Sequence, residues 1–334
     1  MTPPADSLRE LAKPTLPIRL TAWGLIALIM ILGACVPLLA AGSPFIIVLA
    51  SQAIIAALLA LSLDLLTGNT GLLSFGHAAW YGFGAYAGGL IAKFVTADIL
   101  LVVAATAVLA ALVAVIVGSI LTRQIGKTFA ILTLAFSQIL FALVFVADEW
   151  TGGEDGLQGI PIPTLFGFSI ARPPSWYWLL YGTLVLFIVL AFALRLSPLG
   201  KTWLAIRENA ERARFIGIDV NRFKLLAYVL SAAIAAIAGA LFVLMNGAAA
   251  PNTVSWLKSG EIMMYVVLGG TGTIIGPVLG AIAFTFAEHY VSSLTDSWLI
   301  YFGALFVIVV IVAPGGLYGL AQRAWHSLAP EGRR

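Results

Sequence analysis

Five ionisable side chains stand within or beside long apolar runs: Asp64, His77, Glu261, Glu288 and His289. Charge in hydrocarbon is costly. Where it persists it pairs, lines a wet route or relays protons. Asp64 and His77 come first, because they flank the stretch Thr67-Gly68-Asn69-Thr70-Gly71-Leu72-Leu73-Ser74-Phe75-Gly76. Glycine and small polar residues there interrupt an apolar run. A broken helix frees backbone carbonyls and amides, which are tolerated only where protein or a water-lined cavity satisfies them. A second stretch, Leu268-Gly269-Gly270-Thr271-Gly272-Thr273-Ile274-Ile275-Gly276-Pro277, has the same character about 200 residues later. Paired interruptions of this kind point to a central pathway or gate. Glycines that let helices approach closely are the competing reading, and both stay open. The pathway candidates are Asp64, Asn69, Ser74, His77, Gly269, Gly270, Thr271 and Gly272. Glu288 and His289 fall near a span end, where solvation is cheap.

Other chemistries are excluded by spacing. His77, His289 and His326 are far apart and lack carboxylate companions at ligand spacing, so no metal site is expected. The single cysteine, Cys35, leaves neither an internal disulfide nor a cysteine metal site. Leu32-Gly33-Ala34-Cys35 has the look of a lipoprotein cleavage box, but apolar sequence continues past it, so an uncleaved first span is expected. Gly200-Lys201-Thr202 and Gly126-Lys127-Thr128 each match the end of a phosphate loop. The required upstream glycine is replaced by Arg195 and Leu121, and no strand precedes either. No cofactor is expected on this chain, which reads as a non-enzyme.

A third segment, 197–219, is polar and charged. Ser197-Pro198 is a good helix entry and Gly217 a good stop. Trp203, Ile206, Ala210 and Ala213 share one face of the predicted helix, with Lys201, Glu208, Glu211 and Arg212 off it. Arg207 and Glu211 stand four apart and can pair. A short amphipathic helix between two apolar runs reads as a docking knob, lying on the membrane or entering a partner's groove. Gly84-x-x-x-Gly88 and the Ala/Gly-rich face of 227–240 read as close packing between helices.

These segments sit in a chain that is 61% hydrophobic and 10% charged, with mean hydropathy +1.04 over 334 residues. Soluble domains carry about 25% charge. Here the charge is too sparse to cover a globule, and apolar runs of membrane-crossing length recur. The fold class is an all-α polytopic membrane protein. A barrel is disfavoured because the runs are continuous. Spans are predicted at 20–41, 45–66, 71–92, 98–121, 127–147, 176–195, 225–247 and 298–316. The Gly-interrupted run 260–291 supplies one more or two short ones. Of 18 Lys and Arg, three lie in the tail 1–19, seven in 195–224 and three in 321–334, which puts those segments in the cytoplasm. The acidic loop 148–174 is then outside. Both termini inside require an even count, so ten spans are preferred. The net charge of +3 follows topology and implies no nucleic-acid partner. The permease-sized region 20–320 contains no segment able to bury a soluble core, so an energy source must sit on another chain.

Together these segments resemble the branched-chain amino acid ABC importer permeases, M-type subunit. The resemblance is carried, in order, by LSLDLLTGNTGLLSFGHAAWYGFGAY (61–86), TGGEDGLQGIPIP (151–163), the stretch 197–241 beginning SPLGKTWLAIRENAERARFIGIDV, SGEIMMYVVLGGTGTIIGPVLGA (259–281) and APGGLYGL (313–320). It implies about ten helices, a homologous H-type permease partner, two cytoplasmic ATPase subunits carrying ATP-Mg, a periplasmic or lipid-anchored solute-binding protein, and a bacterial or archaeal plasma membrane. It makes 196–224 the coupling loop, with Arg207, Glu208, Glu211, Arg214 and Gly217 as the residues that meet an ATPase. Many relatives carry Asn in place of Asp64, which leaves its charge to be explained. Hydrophobic amino acids are the first expected cargo, with urea, short amides and aromatic acids as siblings' alternatives. An ion-coupled secondary transporter using Asp64, Glu261 and Glu288 is the reading from a different class.

Overall fold

Backbone polar groups in hydrocarbon must be satisfied within the chain, which favours helices. The computed structural model describes residues 33–37, 43–124, 126–295, 297–312 and 315–320. Residues 1–43 form a unit of their own, of which a helical stretch at 33–37 is described. The expected tails 1–19 and 321–334, and most of the expected span 20–41, lie outside the described residues.

The second unit is helical almost throughout. Its elements are α1 (Pro44–Thr70), α2 (His77–Phe94), α3 (Ile99–Leu121), α4 (Lys127–Val146), the short α5 (Asp148–Thr151), a hairpin of β1 (Thr164–Leu165) and β2 (Phe168–Ser169), α6 (Pro173–Leu196), α7 (Pro198–Glu208), α8 (Ala210–Phe215), α9 (Val220–Asn246), a 3₁₀ turn (Pro251–Val254), α10 (Trp256–Gly269), α11 (Ile275–Ser292) and α12 (Trp298–Val312). Five helices, α1, α3, α4, α6 and α9, are long and apolar enough to cross a membrane. Helices α1 and α9 are mostly buried, while α3, α4 and α6 expose most of their apolar residues. The first two form the centre. Helix α1 packs against α6, α9, α10 and α11, and α9 against α1, α2 and α3.

The centre closes because small residues meet. A side chain at Gly84 would strike the Ala236 carbonyl, and one at Gly239 would strike that of Tyr81. Gly88 lies against Ala240. The indole of Trp80 donates to the Tyr228 hydroxyl at 3.1 Å and ties α2 to α9. The packing role expected for Gly84, Gly88 and 227–240 is what the structure contains.

Two helices begin inside the bundle. His77, the first residue of α2, contacts Ser62 at 2.9 Å. Ser62 lies eight residues before the end of α1, about 12 Å of helix rise. The stretch 71–76 therefore climbs back beside α1. The Ala78 amide donates to the Ser259 hydroxyl at 3.1 Å, so the starts of α2 and α10 lie together. Ser137, in the middle of α4, donates to the Val254 carbonyl at 3.2 Å, placing the turn before α10 at that depth too.

Several expected boundaries shift. Helix α1 runs to Thr70 rather than 66, and α2 starts at His77 rather than 71. The Thr70 hydroxyl donates to the Leu66 carbonyl at 2.6 Å, and Gly71, with φ of 74°, is the first residue the helix cannot hold. The run 260–291 is two helices broken at 270–274.

Gly239→Leu should destabilise the fold by about 1–3 kcal/mol, because the backbones must separate. Gly182→Ala, with nothing within 4 Å of its position, should change stability by less than about 0.5 kcal/mol. Heating the purified protein while following tryptophan fluorescence checks both. Equal melting temperatures for the two variants would contradict the packing described.

Candidate functional site

The break at 270–274 frees amides and carbonyls with no helical partner. Asp64, on α1 and 2% exposed, supplies the acceptors. Its Oδ1 accepts from the Gly272 amide at 2.6 Å and its Oδ2 from the Ile274 amide at 3.4 Å. Charge-assisted bonds of this type are the strong ones. Gly68, one turn further along α1, has no side chain, and any Cβ there would collide with Asp64 and the Gly272 backbone. Gly272 (φ 77°) and Ile274 (φ 65°) hold left-handed backbone. That conformation costs a branched residue about 1–3 kcal/mol, so the surroundings must impose it at Ile274. The Thr273 hydroxyl adds bonds to the Gly270 carbonyl (2.8 Å) and from the Gly276 amide (3.0 Å).

The freed carbonyls are met by arginines from the charged loop. Arg207, on α7, donates to the Gly68 carbonyl. Arg195, at the end of α6, donates to the Gly272 carbonyl at 2.5 Å. Both guanidiniums also lie within electrostatic reach of Asp64. One joint therefore unites the end of α1, the break before α11, the end of α6 and the last turn of α7.

The remaining sequence candidates fall around it. Gly269 and Gly270 are buried, and Gly269 abuts the Gly276 carbonyl, so α10 and α11 start their hairpin in close contact. Thr271 is exposed beside them, and Asn69 is buried near the end of α1. Ser74 accepts from the Gly76 amide at 3.4 Å. His77 is fully buried, with Nε2 against Ser62 (2.9 Å) and Ser231 (3.4 Å). The Ser62 hydroxyl itself donates to the Leu59 carbonyl, which assigns the Nε2 proton to the histidine. His77 thus knits α1, α2 and α9. It does not reach the Asp64 joint or line the cavity described next.

A cavity of about 280 Å³ lies on the side of the joint away from α7. Its walls include Leu49, Ile55 and Leu59 of α1 and Lys258, Tyr265 and Glu288 of α10 and α11. Leu59 is five residues before Asp64, about 7.5 Å along the helix.

The charged loop differs from its sequence reading in two respects. It is two helices, because Asn209 caps α8 by accepting from the Arg212 amide at 2.8 Å with an extended backbone. The Arg207–Glu211 pair does not form, since Arg207 turns to Gly68. The apolar face is also consumed internally. Trp203, Ile206 and Ala213 are buried, and the Trp203 indole donates to the Phe223 carbonyl at 2.8 Å. What faces outward is Glu208, Glu211, Arg212 and Arg214, with Phe215 at 90% and Ile216 at 72% exposure beside Gly217. Arg195 and Lys258 escaped the sequence reading, and Gly68 entered it only as part of the interrupted stretch. Only the Gly-to-Asp spacing at 64 and 68 carried a signal, one helical turn on one face.

Asp64→Ala should free the Gly272 and Ile274 amides. Hydrogen exchange across 268–276 should then speed up by about 10- to 100-fold, matching the loss of charge-assisted bonds. Asp64→Asn keeps one carbonyl oxygen and should lie between. Unchanged exchange in Asp64→Ala would contradict the joint.

Comparison with known proteins bears on this arrangement. The family model for the branched-chain amino acid transport system permease component matches residues 45–314. The high-affinity branched-chain amino acid transport system permease protein LivM of Escherichia coli (strain K12) is 29% identical over 297 residues, 82% of this chain and 70% of its own. LivM of Salmonella typhimurium (strain LT2) gives the same values. The autoinducer 2 import system permease protein LsrC of Enterobacter sp. (strain 638) is 31% identical over 188 residues, 54% of each chain. No solved structure matches. The family match spans the joint, the charged loop and the cavity alike, and the chain belongs to the branched-chain amino acid transport system permease family, as a multi-pass permease subunit of an ABC importer.

Proposed function

We propose that this permease imports branched-chain or other hydrophobic amino acids by alternating access, with the Asp64 joint as its inner gate. The observation that carries the reading is the chain of contacts from Arg207 through Gly68 and Asp64 to Gly272 and Arg195. A loop built to meet a partner is thereby fastened to the two broken segments inside the bundle. The chain spans the membrane ten times with both termini and the 196–224 loop in the cytoplasm. The nine long helices among the described residues, together with the apolar run at 20–41, support that count. The basic loop and acidic 148–174 segment support the orientation.

The partners follow from the family. An H-type permease completes the pathway, and a periplasmic or lipid-anchored binding protein delivers cargo to the outer loops. Two cytoplasmic ATPases bind ATP-Mg and meet Arg207, Glu208, Glu211, Arg214 and Gly217. Phe215 and Ile216 join that contact, since their exposure beside the charged residues suits insertion into a partner groove. Closure of the ATPase pair moves α7 and α8 as a rigid unit. Arg207 and Arg195 pull on Gly68 and Gly272, the joint shifts, and access to Asn69, Ser74, Gly269, Gly270 and Thr271 changes sides. The apolar side chains that α1 gives the cavity, Leu49, Ile55 and Leu59, support a cargo with an apolar part.

The test is uptake into proteoliposomes holding the chain with its partner subunits, offered leucine, urea and an aromatic acid. Uptake of leucine should require ATP and the binding protein. Arg207→Ala with Arg195→Ala should lower it at least about 10-fold while the complex still assembles, reflecting two lost charged bonds. Phe215→Asp should weaken co-purification of the ATPases. Ion-gradient-driven uptake by this chain alone, indifferent to ATP, would overturn the reading.

A further inference from the structure

The cavity above the joint carries opposite charges that the import cycle described so far does not use. Helices α10 and α11 form an antiparallel hairpin: Gly269 meets Gly276, the Tyr265 carbonyl meets Gly280, and the Tyr265 ring packs on Phe284. Continuing that register brings Lys258 level with Ala287 and its neighbour Glu288, and both Lys258 and Glu288 line the cavity. Lys258 pairs with Glu261. It also donates to the Tyr265 hydroxyl at 3.5 Å, and that hydroxyl donates to Glu261 at 3.3 Å. An ammonium has three donors. Two are used here, and the third is free on the cavity wall. Glu288 faces the same space and makes no hydrogen bond or ion pair among the described residues. Among the described residues, Lys258, Glu261 and Glu288 set one ammonium and two carboxylates at this space, and the His289 ring lines it beside Glu288. The α1 wall is mainly apolar, with Leu49, Ile55, Ala56 and Leu59 around the one amide of Gln52.

We infer that this cavity is a recognition site for a zwitterion with an apolar side chain, in which Glu288 holds the ammonium and Lys258 the carboxylate. The inference rests on the amino-acid reading above and deepens it. It assigns cargo selection to the permease itself as well as to the binding protein. The volume of about 280 Å³ lies near the small end of ligand pockets, fitting one amino acid rather than a peptide. The two ligand charges each find an opposite: the ammonium faces Glu288, and the carboxylate takes the remaining Lys258 donor, so binding leaves the net charge of the site unchanged. Apolar walls and low dielectric strengthen both contacts.

The experiment is equilibrium binding of radiolabelled L-leucine to the assembled importer in nanodiscs, with the binding protein left out. Competitors are leucinol, which lacks the carboxylate, and 4-methylpentanoate, which lacks the ammonium. Wild type should prefer leucine to either by at least about 10-fold, as expected for one lost charged bond. Glu288→Gln should weaken leucine and erase its advantage over 4-methylpentanoate alone. Lys258→Met should erase its advantage over leucinol alone. Ala56→Phe, at the half-buried edge of the apolar wall, should weaken leucine at least about 10-fold and leave alanine within about 2-fold. Size-exclusion profiles identify any variant that fails to assemble, and Ala56→Phe then decides. Competitors that match leucine on wild type, or variants that bind as wild type, overturn the site. If leucine uptake is ATP-driven in that case, the import reading stands without it. Uptake of urea and not leucine overturns both.

Discussion

A helix cannot break inside an apolar bundle unless something takes over the hydrogen bonds it gives up. Here that burden falls on one carboxylate. Asp64 accepts the amides of Gly272 and Ile274, and the rest of the joint is arranged around it. Gly68 clears the space, Ile274 accepts a strained backbone, and two arginines cap the carbonyls left on the other side. Buried charge is expensive, and it is retained because four backbone groups from two segments converge on it and its cationic neighbours.

The movement proposed for this joint needs a frame beside it that stays fixed. Helices α2 and α9 lock through glycine and alanine, at separations where a single added carbon would meet a carbonyl. His77, Ser62 and Ser231 tie the same helices with a small polar cluster. By contrast, the loop at 270–274 is held by discrete hydrogen bonds, which can be exchanged rather than crushed. Rigid packing on one side and exchangeable bonds on the other are what the proposed switching requires. The cavity sits between the two, with Leu59 in its wall and Asp64 just beyond.

Most of the architecture was legible because membrane helices are written in long apolar runs. The breaks were legible for the opposite reason: Gly68-Asn69-Thr70-Gly71 and Gly269-Gly270-Thr271-Gly272 stand out in such runs. What escaped is what depends on three dimensions. Nothing in the spacing of Arg195 and Arg207 says that they reach inward to carbonyls 77 and 139 residues away. The pairing assumed for Arg207 and Glu211 required an unbroken helix, and Asn209 ends it. The apolar face of 197–213 was visible, but its partner is this chain's own α9, so the face left outward is the charged one with Phe215 and Ile216. Lys258 was hidden because the run appeared to begin at 260, whereas α10 starts at Trp256 and its first turn brings Ser259 against the Ala78 amide.

The central claim is that the charged loop and the break at 270–274 move as one body. Paired spin labels in the assembled importer test this most directly. One pair joins Lys201 to Thr271, both exposed, and the other joins Thr271 to Val95, exposed at the far end of α2. When ATP is bound without hydrolysis, the account predicts that the Lys201–Thr271 distance stays fixed while the Thr271–Val95 distance shifts by several ångströms. A changing Lys201–Thr271 distance with a constant Thr271–Val95 distance would mean that the loop slides over the joint without moving it, and would contradict the account.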